Sequence, residues 1–307
     1  MRNLKLLGLL ALMAILLLVS GCVNVKVGEL QTESRTVELE NADSVDVELD
    51  MSSGEMNIAG GADKLLNAEF RYNVAAWKPE IEYNVVGSQG KLIVRQPRLE
   101  GIVGPNARNE WDLAINEDIP MDLSIDMSSG NCDFNMGSSL LKTLEIDSSS
   151  GNVEATLIGN QSLLQEVNID MSSGAASLDL SGDYPSLSTM TIESSSGNVD
   201  ADLNGNYSSL SNVDIDLSSG NAFIDLSGIW GNDAQVELAV SSGQITLRLP
   251  RDVGVYVDAH TSSGNIRASG FRLDGDNYVN DAYGESNVTI HVKATASSGN
   301  IELQLVD

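Results

Sequence analysis

Apolar and polar residues alternate along this chain in short blocks, and the blocks break at one recurring tripeptide. Ser-Ser-Gly occurs nine times, with its glycine at Gly54, Gly130, Gly151, Gly174, Gly197, Gly220, Gly243, Gly264 and Gly299. The intervals are 76, 21, 23, 23, 23, 23, 21 and 35 residues. Seven of the nine glycines are followed by Asn or Gln. The third, fifth and seventh residues before the glycine are mostly apolar, as in Val167, Ile169 and Met171 or Val213, Ile215 and Leu217. The second, fourth and sixth residues after it are apolar as well, as in Val153, Ala155 and Leu157 or Ala222, Ile224 and Leu226. A period of two predicts half-buried β-strands. The inward parity changes across the motif, which one straight strand cannot do. Ser-Ser-Gly-Asn is therefore expected to be a corner between two strands, with glycine supplying a backbone conformation closed to other residues.

Neither strand of such a unit can bury its apolar face alone, so the units must stack. The prediction is an all-β chain, a β-solenoid of 23-residue Ser-Ser-Gly-Asn repeats. Nine coils at the strand spacing would make a rod on the order of 40 Å long. Leu141, Leu164, Leu187 and Leu210 stand ten residues before their glycines and would close the far side. Residues 55–120 lack the motif beyond their edge. They carry strand-like runs at 68–74, 80–86 and 91–96, and predict a β module capping the solenoid. Residues 270–284 read as an inserted loop or hairpin. The expected domains are 36–120 for the module and 121–307 for the repeats. A leucine-rich repeat is the rival, since Leu164, Val167 and Ile169 share that family's opening spacing. Against it, the second half of each unit alternates as a strand, not a helical turn.

Residues 1–21 combine a basic start, an apolar run from Leu6 to Val19 and small residues ahead of Cys22. This reads as a secretory signal. With its cysteine it resembles the lipobox of prokaryotic lipoproteins, which implies that Cys22 is acylated and that 22–35 form a lipidated tether. The expected location is the extracytoplasmic face of the cell membrane.

Charge narrows the partners. The net charge of -27 excludes a nucleic-acid binder that grips phosphate. The acids recur in columns. Four residues before the glycine stand Asp50, Asp126, Asp147, Asp170, Glu193 and Asp216, and five after it stand Asp179, Asp202 and Asp225. Stacked carboxylates repel and raise one another's pKa. Calcium would suit such an oxygen-rich set, with Asp126, Asp147, Asp170, Glu193 and Asp216 as candidate ligands. The other reading is a solvated acidic face that keeps a β-rich rod from aggregating. No cofactor is expected. Neither His260 nor His291 lies in a catalytic motif, so no enzyme activity is expected. Cys132 sits where sibling repeats carry Val153, Ala176 and Val199, and reads as a small core residue. Trp77, Trp111 and Trp230 read as core or cap packing, and 160–162, 206–208 and 287–289 match glycosylation acceptors.

These corners and strands resemble the toast-rack and adhesin-like β-solenoid domains of bacteria and archaea. Leu247-Arg-Leu-Pro-Arg-Asp-Val-Gly-Val255, running on to Ser262-Ser-Gly-Asn-Ile266, is similar to that family's phrasing. Leu49-Asp-Met-Ser-Ser-Gly-Glu-Met-Asn-Ile-Ala-Gly-Gly61, with Phe70-Arg-Tyr-Asn73 and Pro79, resembles the N-terminal toast-rack module of LiaF-like proteins. The resemblance implies a non-catalytic interaction surface at the envelope, adhesin-like or scaffolding. Its alternative is an accessory part in envelope-stress sensing, and a third reading is an acidic cation-binding surface protein. The partner would be an envelope protein or polymer, with self-association through the end strands as a further route.

Overall fold

The computed structural model describes residues 24–99 and 101–307, so Cys22 and the signal segment lie outside the described residues. The strands form two long sheets, of 13 and 12 strands, and a short third face of three. One repeat shows the path. Asn212–Ser219 lies on the first sheet, the chain turns at Gly220, and Ala222–Asp225 lies on the second. Ile229–Trp230 forms the third face before the next coil begins at Ala234. Equivalent residues pair in parallel register, Val213 with Val236 and Ala222 with Ile245. The alternating apolar residues all point inward, and Val213, Ile215, Leu217, Ala222, Ile224 and Leu226 are buried. Each Val, Ile or Leu among them contributes about 1.5–3 kcal/mol by leaving water, but only when a neighbouring coil covers it. The leucine column, Leu141, Leu164, Leu187 and Leu210, is buried as expected.

The corners explain their own composition. Gly197 has φ +144° and Gly220 +130°, and eight of the nine corner glycines lie in this region. Gly264, in the end coil, is the exception. Each of the other eight corner N–H groups donates to a serine carbonyl of the next coil, as from Gly197 to Ser219 and from Gly220 to Ser242, both at 2.9 Å. The following Asn caps the next corner: Oδ1 of Asn198 accepts the Asn221 N–H at 3.0 Å, and Oδ1 of Asn221 accepts that of Gln244 at 3.0 Å. On the third face, Tyr184, Tyr207 and Trp230 stack inside the return loops at centroid distances of 5.2 and 5.3 Å. The Tyr207 hydroxyl donates to the Leu180 carbonyl at 2.5 Å, and Trp230 Nε1 donates to that of Leu226 at 2.9 Å.

The coils do not stack in chain order, and there is one more of them than there are Ser-Ser-Gly motifs. Gln89–Arg95 and Asn109–Ile115 form the extra coil, lying outside the Gly54 coil although they follow it in sequence. Its corner has no glycine. Asn109 occupies that place, donating through Nδ2 to the Ser53 carbonyl at 2.8 Å and to Gln96 Oε1 at 3.0 Å. At the other end, Thr289–Ser298 pairs with both Ala234–Ser242 and Gly254–Ser263. The last coil thus inserts between the two before it.

Antiparallel strands finish the ends. Glu80–Val86 edges the first sheet, and Leu66–Tyr72 with Gln31–Val37 edges the second. At the far end the 270–284 insertion is a hairpin, Arg272–Asp274 with Asn277–Val279, lying against Gly254–Ser263. The buried Asn280 pins it, accepting the Val255 N–H at 3.0 Å and donating to the Val253 carbonyl at 2.7 Å. Two expectations change. The sheets run on through residue 120 without a break, because 44–59 is itself a stacked coil. The expected tether also includes structure: Asn24–Val25 pairs with Ile102–Val103, and residues 31–37 form an edge strand.

Candidate functional site

The outward positions are the candidate site, because the inward ones are occupied by core. On the first sheet, Asp50, Asp126, Asp147, Asp170, Glu193 and Asp216 stand side by side, one per strand and in register. Ala239 ends the column at one side and Arg95 stands opposite Asp50 at the other. Partial burial raises the Asp50 carboxyl above its usual range, and the neighbouring Asp126 adds to this. Burial raises Asp147 too, with Glu145, Asp170 and Asp126 contributing. The column is a line and not a cage. Among the described residues no three His, Cys, Asp or Glu side chains converge on a point that could hold a metal ion.

The second acidic column does local work that the sequence reading missed. Asp179, Asp202 and Asp225 accept the backbone N–H of Ser181, Asn204 and Ser227 at 3.0, 3.1 and 2.9 Å. These are Asx turns that start each return loop. The spacing of Asp two residues before a Ser or Asn was the available signal. Arg248 closes the column by bonding Asp225. Burial, then the neighbouring Asp225, raises the Asp202 carboxyl.

Toward the N-terminal end the outer face of the second sheet is hollowed. A shallow groove of about 590 Å³ runs over Ala59 and Ala114, walled by Asn57, Asn67, Asp112 and Asn135. Nearby, Arg71 is held by Glu110 at 3.0 Å, Asp112 at 2.6 Å and Glu69 at 3.3 Å. Three acids around one guanidinium leave this patch acidic.

The remaining singled-out residues are placed apart. Cys132 is buried, and desolvation pushes its thiol up to about 12. His260 is exposed on the end coil, while the His291 ring lies 5.6 Å from that of Tyr256. Trp111 and Trp230 are in the core, and Trp77 is buried in a 3-10 turn beneath the N-terminal module. Asn160, Asn206 and Asn287 are all exposed.

Solved structures similar to this chain include bacterial candidate adhesins and a candidate lipid binding protein. A candidate cell adhesion protein from Clostridium sporogenes shares 25% identity over 91% of this chain and 100% of its own, with a TM-score of 0.35. A candidate adhesin from Bacteroides fragilis shares 12% over 92% of this chain and 99% of its own, at a TM-score of 0.49. A candidate lipid binding protein from Parabacteroides distasonis shares 10% over 91% and 98%, at 0.35. No curated protein matches the chain. The decisive likeness lies in the sequence of the capped half of the rod: residues 26–181, from the edge strand to the middle coils, match the family described as the N-terminal domain of toast_rack, DUF2154, and the chain belongs to that family.

Proposed function

We propose that this protein is a lipid-anchored, extracytoplasmic interaction surface, an adhesin-like or scaffolding rod at the cell envelope without catalytic activity. The observation that carries this reading is the in-register outward ladder. Asp50 to Asp216 repeat one acidic position across six strands, and Asn198, Asn221 and their equivalents repeat an amide along the corner. Such a surface suits extended contact with a repetitive polymer or a broad protein face. Two further supports are the lipobox-like residues before Cys22 and the hollowed N-terminal face. Membership of the toast-rack family favours a second reading, an accessory part in envelope-stress sensing. The raised carboxyls of Asp50 and Asp147 favour a third, a diffuse cation-attracting face.

The test is cross-linking in intact cells, comparing wild type with Cys22→Ala and identifying captured proteins and polymers by mass spectrometry. Capture of cell-wall polymer or of further copies, lost with Cys22→Ala, is the expected result. Capture of a membrane kinase or stress regulator in its place would move the assignment to sensing. Equal membrane fractionation of both forms would overturn the anchor.

A further inference from the structure

We infer that the rod stands on the membrane by its N-terminal end, with the 24–30 segment as a rigid dock instead of a free tether. This rests on the proposed anchor at Cys22. The argument starts two residues after that cysteine. Asn24 and Val25 pair in parallel with Ile102 and Val103 of the 97–108 loop. Val25, Val27 and Val103 pack against the core, and the Gly28 N–H donates to the Asn73 carbonyl at 2.7 Å. Gln31 then enters the outermost strand of the second sheet, opposite Tyr72, which itself pairs with Asn109. The chain is therefore fixed to the first coil almost from its start. Two extended residues span at most about 7 Å, so an acylated Cys22 would sit within one strand-width or so of folded protein. A rod held this closely cannot drift on a leash.

Charge decides which surface turns toward lipid. Residues 143–247 contain fifteen acids and no Lys or Arg, and they cover the middle coils on every face. Nine bases lie within residues 24–120. The same stretch holds eighteen acids, so its net charge is -9 against -15 for residues 143–247, and several of its acids are paired: Lys64 with Glu38, Lys78 with Glu33, and Arg95 with Glu80 and Glu82. Arg98 and Arg108 are exposed on the same loop that docks the N-terminal segment. An anionic headgroup layer repels the flank that has no basic partner more strongly than the end whose acids are partly paired. Lying flat would bring one acidic face of the middle coils within a Debye length of about 8 Å, whereas standing keeps these coils beyond it. The far end, with the 272–279 hairpin, would then project outward by on the order of 50 Å at the strand spacing.

The experiment uses the lipidated full chain in vesicles of phosphatidylcholine and phosphatidylglycerol that carry a headgroup-linked quencher. Single fluorophores are attached at Val86→Cys, on the N-terminal edge strand, and Leu273→Cys, on the distal hairpin. Both positions are exposed, at 81% and 66%, so neither change touches the core. Buried Cys132 is not labelled in folded protein. The expected result is flotation with the vesicles, loss of most of the Val86 signal and retention of the Leu273 signal. Flotation with equal loss at both probes would overturn the standing rod while leaving the anchor intact. Failure to float would overturn the anchor, and this inference with it.

Discussion

A methyl group added at one corner should break the stack, and the size of the effect can be worked from the geometry. Gly197 has φ +144°, and a Cβ placed on it would lie 1.5 Å from the carbonyl oxygen of Gly174 in the coil below. The backbone conformation alone costs an L-residue roughly 1–3 kcal/mol. The overlap adds to this, because a carbonyl oxygen cannot approach a methyl much closer than 3 Å. Relieving it requires the two coils to part by more than an ångström at the corner. At this corner the two coils are joined by N–H···O bonds from Ser195 to Met171, from Gly174 to Ser196 and from Ala176 to Asn198, of 2.9, 3.0 and 2.9 Å, which that displacement would stretch past bonding range. Each lost bond costs about 1 kcal/mol. Gly197→Ala should therefore destabilise by about 4 kcal/mol, with the terms taken as additive only to first order. The control is Gly87→Ala. Gly87 has φ +66° in an exposed hairpin, with nothing within 4 Å of the added Cβ. It should lose only the conformational term, about 1–2 kcal/mol. Urea unfolding followed by circular dichroism reads both. Hydrogen exchange across residues 166–226 shows whether the loss is local, as nearest-neighbour stacking demands. Equal losses in the two variants would refute the ladder as the source of the corner's demand for glycine.

Tyr207→Phe should cost about 1–3 kcal/mol, because it strands the Leu180 carbonyl inside the return loop while keeping the ring stack; no change in the unfolding midpoint would mean that water replaces the hydroxyl. Stability should also depend on pH in a defined direction. Asp50, Asp147, Asp202 and Asp214 have carboxyl pKa values raised in the folded state, all chiefly by burial and then by neighbouring acids. The folded chain thus binds more protons than the unfolded one between the ordinary carboxylate value near 4 and the raised values. Against these four stand Glu33 and Asp63, whose carboxyls are lowered and act in the opposite sense; with the raised groups in the majority, stability should rise as pH falls from neutrality into that window, and Asp50→Asn with Asp147→Asn should flatten the rise. A melting temperature that drops steadily from pH 7 downward would contradict it.

Much of this molecule is legible in the sequence because a solenoid repeats its instructions. The parity change across Ser-Ser-Gly places a corner between two strands, and the corners are there. The leucine column at Leu141, Leu164, Leu187 and Leu210 closes the coils as its spacing implies. What was not legible came from residues that break the repeat. Asn109 replaces a corner glycine, so the coil it belongs to carries no motif, although Trp111, Leu113 and Ile115 keep the inward alternation. Asp179 and its equivalents look like a charge column, yet their first duty is to turn the chain. Chain order is a poor guide to stacking order, since a period fixes what one coil looks like and not which coil lies beside it. For the surface columns the sequence gives register but not convergence, and a metal site needs convergence.

The two departures from chain order share a physical cause. A parallel solenoid leaves an open sheet edge at each end, where unpaired N–H and C=O groups invite further strands. Here each end is made by chain that has already passed, or will later return, through the stack. At the N-terminal end the Gln89–Arg95 and Asn109–Ile115 coil closes over the Gly54 coil and is then covered by antiparallel strands. At the C-terminal end, Gly254–Ser263 has no direct pairing with Ala234–Ser242; both meet only through Thr289–Ser298. The terminal strand is therefore bonded on both sides instead of fraying at an edge. The hairpin of 272–279 covers what remains of the first sheet, whereas on the second sheet the four-residue strand Ile266–Ser269 is the outermost. A strand that short offers few bonds to an incoming chain, and Arg267 places a charge on it. Each sheet thus ends on a strand that is short or is joined to the stack by antiparallel pairing, Arg272–Asp274 and Glu80–Val86 on the first and Ile266–Ser269 and Gln31–Val37 on the second, so a further coil of the same parallel register has no matching pair of strands to extend.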